Sequence, residues 1–343
     1  MKKVMIAMSG GVDSSVAAYM LQKQGYECIG ATMLLHEGPS DAAEAQKVAA
    51  KLGISHYVFD FREAFDQYVV RPFVRAYEEG RTPNPCVICN RHLKFEALHA
   101  KAAEMGCDYI ASGHYARVGK EEGGDRYVLR KSAVPEKDQS YVLAMLTQEQ
   151  LAKALFPLEG MSKDEVRRIA AGIGFENASK PDSQDICFIP DGDYAHFIES
   201  YEGKTYPEGD FIDVEGNFMG KHQGIIRYTV GQRKGLGIAA GKPVYVSKID
   251  SASNTVTLTD NDALFTDCLT SADFNWISIP KPDEPLRAKA RIRYQHKEQP
   301  ATVTAGKDGV VTIQFDAPQR AITPGQTVVV YDGDIFIGGG TIY

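Results

Sequence analysis

The sequence has no apolar run long enough to cross a membrane. Its first apolar stretch, residues 4–8, is cut by Ser9-Gly10-Gly11, too soon for the core of an export leader. Cysteine is sparse, six in 343 residues (28, 86, 89, 107, 187, 268). With no leader ahead of them these suit thiols of a reducing compartment better than a disulfide framework, so the expected location is cytoplasmic. Internal repeats, low-complexity tracts and a collagen-like period are missing, and the composition is not that of a disordered chain. An excess of positive charge is missing too: 38 Lys+Arg face 45 Asp+Glu, a net charge of −7, which argues against indiscriminate binding to nucleic acid. The charge is uneven, with 24 basic and 33 acidic residues in 1–219 against 14 and 12 in 220–343. A local basic surface in the second part is therefore compatible with the acidic total.

What is present is a globular chain, 43% hydrophobic and 24% charged, long enough for two or three domains with sizeable cores. Over the first ~110 residues short apolar runs alternate with stretches of helical spacing: 3–8 then 14–24, 27–35 then 41–52, 55–60 then 62–79. A further helical segment, 93–105, precedes a strand at 107–111. The non-alternating run Val4-Met5-Ile6-Ala7-Met8 suits a strand buried on both faces, and the order predicts a doubly wound parallel sheet with its active residues at the carboxyl strand ends. Residues 141–171 read as helical, with Ser162 and Glu165 spaced as a capping box. After Gly203 the texture changes to short alternating segments at 244–249, 255–259, 288–294, 310–315 and 327–331, one or two small β-barrels or sandwiches.

The sharpest motif is Ser9-Gly10-Gly11-Val12-Asp13-Ser14-Ser15, between the first strand and first helix. Two glycines admit close backbone approach, and the helix start offers N–H groups to a phosphate chain. The loop lacks the Gly-Lys-Ser/Thr ending of a phosphoryl-transfer loop. A second motif is Pro83-Asn84-Pro85-Cys86-Val87-Ile88-Cys89-Asn90; with a helix beginning near Arg91 and with Arg91 and Lys94 nearby, its cysteine is predicted to be biased toward thiolate. A third, Asp182-Ser183-Gln184-Asp185-Ile186-Cys187-Phe188-Ile189, holds another loop cysteine. Ser112-Gly113-His114-Tyr115 follows a predicted strand; His114 reads equally as a site group or a satisfied structural histidine. Lys137-Asp138-Gln139-Ser140, taken alone, reads as a solvated turn, and residues 227–237 form a basic glycine-rich loop suited to phosphates. Arg287, Lys289, Arg291 and Arg293 alternate along a predicted strand, which puts four cations on one face, suited to a phosphate backbone.

The loop SGGVDSS resembles that of the ATP pyrophosphatases (PP-loop enzymes). Together with TPNP-x-x-x-CN-x-x-x-KF, SGHYA, KDQSY, SQDICFI and YTVGQRKGLG in order, it makes the chain similar over nearly its whole length to the bacterial tRNA-uridine 2-sulfurtransferases. The resemblance implies a PP-loop domain (1–202), a small central domain (203–262) and a C-terminal β-barrel that contacts tRNA (263–343). It implies ATP with Mg2+, and as substrate the wobble uridine in the anticodon stem-loop of tRNAs for lysine, glutamate and glutamine. Ala7, Met8, Ser9, Gly10, Gly11, Val12, Asp13, Ser14, Met33 and Gly113 would bind ATP, with Asp13 also catalytic. Asn84, Pro85 and Cys86 would flank the target base, and His114, Lys137, Asp138, Gln139, Arg293, Tyr294 and Gln326 would touch tRNA. Cys187 would carry a persulfide received from a sulfur-relay protein or cysteine desulfurase, and Cys89 would be the second thiol, closing a disulfide.

One departure matters: many members have Asp where this chain has Cys86. Cys86, Cys89 and Cys187 thus resemble the ligands of a [4Fe–4S] cluster in other tRNA thiolases, an alternative sulfur route. Two further readings stay open, an amidating ligase of the argininosuccinate, NAD or GMP synthetase kind, and a catalytically inactive tRNA-binding module.

Overall fold

The computed structural model describes residues 1–36, 42–121, 123–180 and 186–343. The expected strand-helix alternation is present as β1 (Lys3–Ala7), α1 (Val12–Lys23), β2 (Glu27–Leu34), α2 (Ala42–Leu52) and β3 (Ser55–Asp60). Helical runs at 62–78 and 85–104 follow, each containing a wide π-type segment, at Asp66–Val70 and Asn90–Ala97. The 85–104 run leads into β4 (Tyr109–Ala111). A hairpin, β5 (Ala116–Lys120) and β6 (Tyr127–Lys131), and then helix Gln148–Lys153 precede the two-residue strand β7 (Ala154–Leu155).

The sheet order is β3-β2-β1-β4-β7, with every pairing parallel. Val4 and Ile6 pack with α1, α2 and helix Lys163–Ile173 on one face, while Met5 packs with Phe95, Leu98 and Ala102 on the other. Because β1 is covered on both sides, Val4, Met5 and Ile6 are fully buried, each contributing roughly 1.5–3 kcal/mol of hydrophobic stabilisation. The chain winds outward from β1 to β2 and β3 and returns to β4 on the other side of β1. This switch opens a crevice above the carboxyl ends of β1 and β4.

The continuous helical pattern expected over 141–171 is corrected. Ser140–Leu143 is a 3-10 turn, and β7 interrupts the remainder by pairing with Ile110 and Ala111 of β4. Pro157 supplies the reason, since it disfavours helical backbone at the residue before it and cannot donate an intrahelical bond. The capping box is present: Ser162 Oγ accepts from the Glu165 amide, and the Ser162 amide donates to Glu165 Oε2 at 2.7 Å.

Beyond helix Tyr194–Glu202, a four-stranded sheet is formed by β8 (Gly209–Ile212), β9 (Phe218–His222), β10 (Tyr245–Asp250) and β11 (Thr255–Thr259), in the order β10-β11-β8-β9. Then β12 (Phe265–Trp276), β13 (Leu286–Arg291), β14 (Gln299–Ala305), β15 (Val311–Arg320), β16 (Thr327–Asp332) and β17 (Ile335–Ile342) follow in the order β12-β15-β14-β13-β16-β17. Pairing of β12 with β17 closes this six-stranded barrel.

The N-terminal hairpin extends the barrel's sheet. Arg130 of β6 pairs with Ile335 of β17, and Asp334 binds both Arg117 (2.5 Å) and Arg130 (3.0 Å). Tyr141 donates to the Thr327 carbonyl at 2.7 Å, Asn275 donates to the carbonyls of Ala144 and Leu146, and Val329, Tyr331 and Phe336 share a core with Leu129 and Tyr141. The barrel is thus fixed against the parallel-sheet domain by buried contacts. Among the described residues no helix is long and apolar enough to cross a membrane.

Candidate active site

A cavity of about 460 Å³ occupies the crevice. Its first wall is the loop after β1. Gly10 takes φ +70°, which a side chain rarely tolerates, and so turns the chain into α1. Gly11 caps that helix without a side-chain bond, and Ser14 and Ser15 turn their hydroxyls back onto the Gly11 carbonyl at 3.0 Å. Ser9, Asp13 and Ser14 lie on the cavity wall, where the start of α1 has amides that intrahelical bonding does not use and that suit an anion. Gly113, after β4, lies hard against the first turn of α1: a Cβ there would stand 2.8 Å from the Asp13 carbonyl carbon and the Ser14 nitrogen.

Asp13 is held from two sides, each oxygen receiving a bond from Lys163 Nζ at 2.8 Å and Oδ1 a further bond from the Tyr115 hydroxyl at 2.7 Å. Asn177 donates to the Gly10 carbonyl (2.8 Å) and to Ser15 Oγ (2.9 Å). Neither Lys163 nor Asn177 stood out in the sequence. The one signal for Lys163 was its place at the first position of a capped helix, where a cation opposes the helix dipole and calls for a nearby carboxylate.

The second wall carries the thiols. The helix starts at Pro85 rather than near Arg91; Asn84 caps it, accepting from the Cys86 amide at 3.2 Å. Cys86 is therefore in the first turn and exposed, and Cys89 is one turn further in and buried. Cys187 is exposed, its neighbour Phe188 anchored edge-on against Phe65 (5.4 Å) and Phe73 (5.3 Å). The rest of that motif, Asp182 to Asp185, lies outside the described residues.

The predicted bias toward thiolate is corrected. Burial pushes the Cys89 thiol up to about 12 and raises Cys86 and Cys187 as well, outweighing the opposing charge of Lys94, which faces all three. His114 also lines the cavity, buried against Phe95 and Phe156, with Nδ1 2.7 Å from Ser112 Oγ; burial first, and then Lys94, depress its pKa far below the ordinary value.

The cavity thus gathers Ala7, Met8, Ser9, Asp13, Ser14, Met33, Gly113, Pro85, Cys86, Cys89, Cys187, His114 and Gln139 from the sequence-based candidates. Gly10, Gly11, Val12 and Asn84 are outside its lining; Gly11 caps α1 and Asn84 caps the helix that carries Cys86 and Cys89. Leu35, Phe65 and Val69, apolar groups that sequence reasoning did not single out, also line it, with Phe188 of the third motif.

The remaining candidates lie elsewhere. Asp138 is buried, accepting from the amides of Ser132 (3.0 Å) and Ser140 (3.2 Å), so 137–140 is not the solvated turn expected. Lys137, beside it, is half-buried and outside the cavity lining. Gln326 donates to the Thr82 carbonyl at 2.9 Å and steadies the loop ahead of Cys86. Tyr294 is exposed. The four-cation face is also corrected: β13 ends at Arg291, Arg293 lies beyond it and bonds the Arg320 carbonyl, Arg287 pairs with Asp316 at 2.7 Å, and Arg291 lies 3.7 Å from Asp138. Arg287 and Lys289 are the exposed cations of this row on β13.

Residues 2–191 match the family described as tRNA methyl transferase HUP domain, 195–260 the tRNA methyl transferase PRC-barrel domain, and 266–342 the aminomethyltransferase β-barrel domain. The chain is 50% identical over 353 residues to the tRNA-specific 2-thiouridylase MnmA of Clostridioides difficile, covering 99% of this chain and 98% of the relative. It is 52% identical over 355 residues to the protein of the same name from Acetivibrio thermocellus, covering 99% of each. Among solved structures it is similar to a 4-thiouridine synthetase–RNA complex with bound ATP, at a TM-score of 0.39 and 16% identity over 59% of this chain and 50% of that one. With half of its positions identical to curated relatives from end to end, the chain belongs to the family of tRNA-specific 2-thiouridylases.

Proposed function

We propose that this protein replaces the 2-oxygen of the wobble uridine of lysine, glutamate and glutamine tRNAs by sulfur at the expense of ATP. The observation that carries the reading is the opening of an anion-cradling helix start and three thiols into one cavity. In this reading ATP lies with its phosphates on the first turn of α1 and its nucleoside toward Met33 and Gly113. The target base leaves the anticodon stack, at a cost of a few kcal/mol that is smaller in a loop than in a duplex, and enters beside Asn84, Pro85 and Cys86. The uracil 2-oxygen attacks the α-phosphorus, pyrophosphate leaves, and the poor oxide leaving group becomes AMP. A persulfide on Cys187, supplied by a sulfur-relay protein or a cysteine desulfurase, attacks carbon 2 and AMP departs. Cys89 then provides the second thiol, so that two thiols are oxidised to a disulfide as one sulfane sulfur is reduced.

Magnesium would supply charge neutralisation on the phosphates. Asp13 is the one carboxylate among the described residues lining the cavity, and Lys163 already engages both its oxygens, so a metal held by the protein does not fit; the phosphates of ATP would carry it. For the iron–sulfur alternative, no group of three or more His, Cys, Asp or Glu side chains among the described residues is placed to hold a metal. Cys86, Cys89 and Cys187 line one cavity and would be the ligands of a cluster in that alternative, and no step is routed through one. His114, the 137–139 loop, Arg293, Tyr294 and Gln326 belong to the same reading as the tRNA side, and the divisions after residues 202 and 262 as its domain limits.

The test is thiolation of unmodified tRNA with ATP, magnesium and a sulfur source, read as retardation in a mercury gel alongside release of pyrophosphate. Expected are tRNA-dependent pyrophosphate release, thiolated product, and loss of product in Cys187→Ser with ATP binding kept. Pyrophosphate release driven by a small carbonyl substrate instead would assign the protein to the amidating ligases, and binding of tRNA with no turnover would leave only a binding module.

A further inference from the structure

Asn177 stands in a 3-10 turn, Glu176–Ser179, a few residues beyond helix Lys163–Ile173, and is 7% exposed. It is outside the lining of the cavity, yet its side chain holds the nucleotide loop. The amide nitrogen donates to the Gly10 carbonyl at 2.8 Å and to Ser15 Oγ at 2.9 Å. A carbonyl can only accept, so chemistry fixes which end of the Asn177 amide meets Gly10. The other end, Oδ1, is buried without a partner among the described residues, so the side chain serves here through its donors alone.

Two successive peptides of the loop are tied in this way. The carbonyl of the Gly10–Gly11 peptide is held by Asn177. The carbonyl of the Gly11–Val12 peptide is held by the hydroxyls of Ser14 and Ser15, each at 3.0 Å, and Ser15 is the second acceptor of Asn177. Both peptides are trans, and in a planar trans peptide the N–H points opposite to the C=O. Drawing the Gly10 carbonyl toward Asn177 therefore turns the Gly11 N–H the other way. Gly10, at φ +70°, and Gly11 have no side chains to resist rotation of the peptide they share, so an outside donor is what holds it.

We infer that Asn177 is a positioning residue for the phosphate chain of ATP: by holding the Gly10 carbonyl it keeps the Gly10–Gly11 peptide from turning over, so that the loop offers the phosphates an N–H and not a carbonyl oxygen. The inference rests on the seating of the phosphates at the start of α1 proposed above, and names the group outside the loop on which that seat depends. With the peptide reversed, attraction of the phosphate by an N–H becomes repulsion by an oxygen lone pair. The nucleoside, seated toward Met33 and Gly113, does not use this peptide, so the effect is specific to ligands that carry phosphates.

The experiment compares ATP, with magnesium, and adenosine by calorimetric titration of the full-length protein. The wild type should bind ATP more tightly than adenosine. Asn177→Ala should lose at least about tenfold in ATP affinity while its adenosine affinity changes by less than about twofold. Asn177→Asp keeps the side-chain volume but sets an acceptor against the Gly10 carbonyl, and should lose ATP at least as strongly. Ser15→Ala removes one of the two hydroxyl ties on the Gly11 carbonyl and should lose ATP selectively by a smaller factor, about threefold, a check that stands if the Asn177 variants do not fold. An unchanged ratio of ATP to adenosine affinity in Asn177→Ala, equal loss of both ligands, or an unchanged ratio in Ser15→Ala where the Asn177 variants do not fold, overturns the inference. A wild type that binds adenosine as tightly as ATP instead overturns the seating of the phosphates beneath it, so the two failures are distinguishable.

Discussion

Replacing Lys163 by methionine tests the architecture of the nucleotide loop. The change keeps the aliphatic stem and removes the ammonium that bonds both oxygens of Asp13 at 2.8 Å. Removing one partner of a fully buried ion pair costs about 3–5 kcal/mol, because the other charge is left behind. Here the lysine side chain is 9% exposed but that of Asp13 is 29% exposed, and Asp13 keeps its bond from Tyr115. Water can therefore reach the stranded carboxylate, and the expected cost falls to about 2 kcal/mol, or roughly 4–8 °C in the melting temperature of the parallel-sheet domain. Asp13→Asn should cost more, about 3 kcal/mol, since the charge it strands is the more buried Lys163 ammonium, even though the amide still accepts from Tyr115. The double variant should be less destabilised than the sum of the two single changes, with a coupling of about 1–2 kcal/mol. Thermal melts of the four proteins give the cycle, and ATP titrations by calorimetry give the binding side, where Lys163→Met should weaken affinity because Asp13 lies in the helix turn on which the proposed function seats the phosphates. Costs that simply add, with ATP affinity unchanged, would refute the argument that Lys163 acts through Asp13.

Gly113→Ala should leave the overall fold intact yet reduce ATP affinity by about tenfold or more, because its Cβ would stand 2.8 Å from the backbone of Asp13 and Ser14 and push back the first turn of α1; isothermal titration checks it. Burial of His114 as the neutral form makes stability fall with acid: the unfolded chain takes up a proton below its ordinary pKa near 6.5 while the folded one does not, so stability is lost as pH falls through that value toward the depressed folded pKa, at up to about 1.4 kcal/mol per pH unit for this group. His114→Gln should flatten the slope of unfolding free energy between about pH 6.5 and 5 by up to that amount; an unchanged slope would refute it.

The architecture was legible wherever local chemistry and global position agree. The run 4–8 announced a strand buried on both sides, and Ser9-Gly10-Gly11 announced a turn into a helix start, because glycine and small polar residues have few other uses between an apolar strand and an amphipathic helix. Lys163 and Asn177 were not legible, since each reaches the loop from 150 or more residues away and reads locally as ordinary polar sequence. The chemistry of Cys89 was misread for a related reason. Sequence shows the nearby cations but not the desolvation that outweighs them, and it placed the helix start six residues late, ahead of which it set a cysteine that lies within the helix. Along β13 the alternation of cations was legible, but their partners, Asp316 on β15 and Asp138 in the other domain, were assigned only by the fold.

The joining of β6 to β17 couples the order of synthesis to the order of assembly. The hairpin at 116–131 emerges some two hundred residues before the strand that completes its edge, and the carboxylate that gathers Arg117 and Arg130 belongs to Asp334. Contacts this distant in sequence form slowly. A nascent chain with its nucleotide loop already shaped would still lack the brace that Gln326 gives the loop ahead of Cys86. The brace on the thiol side of the cavity is therefore in place only once the barrel strands have formed.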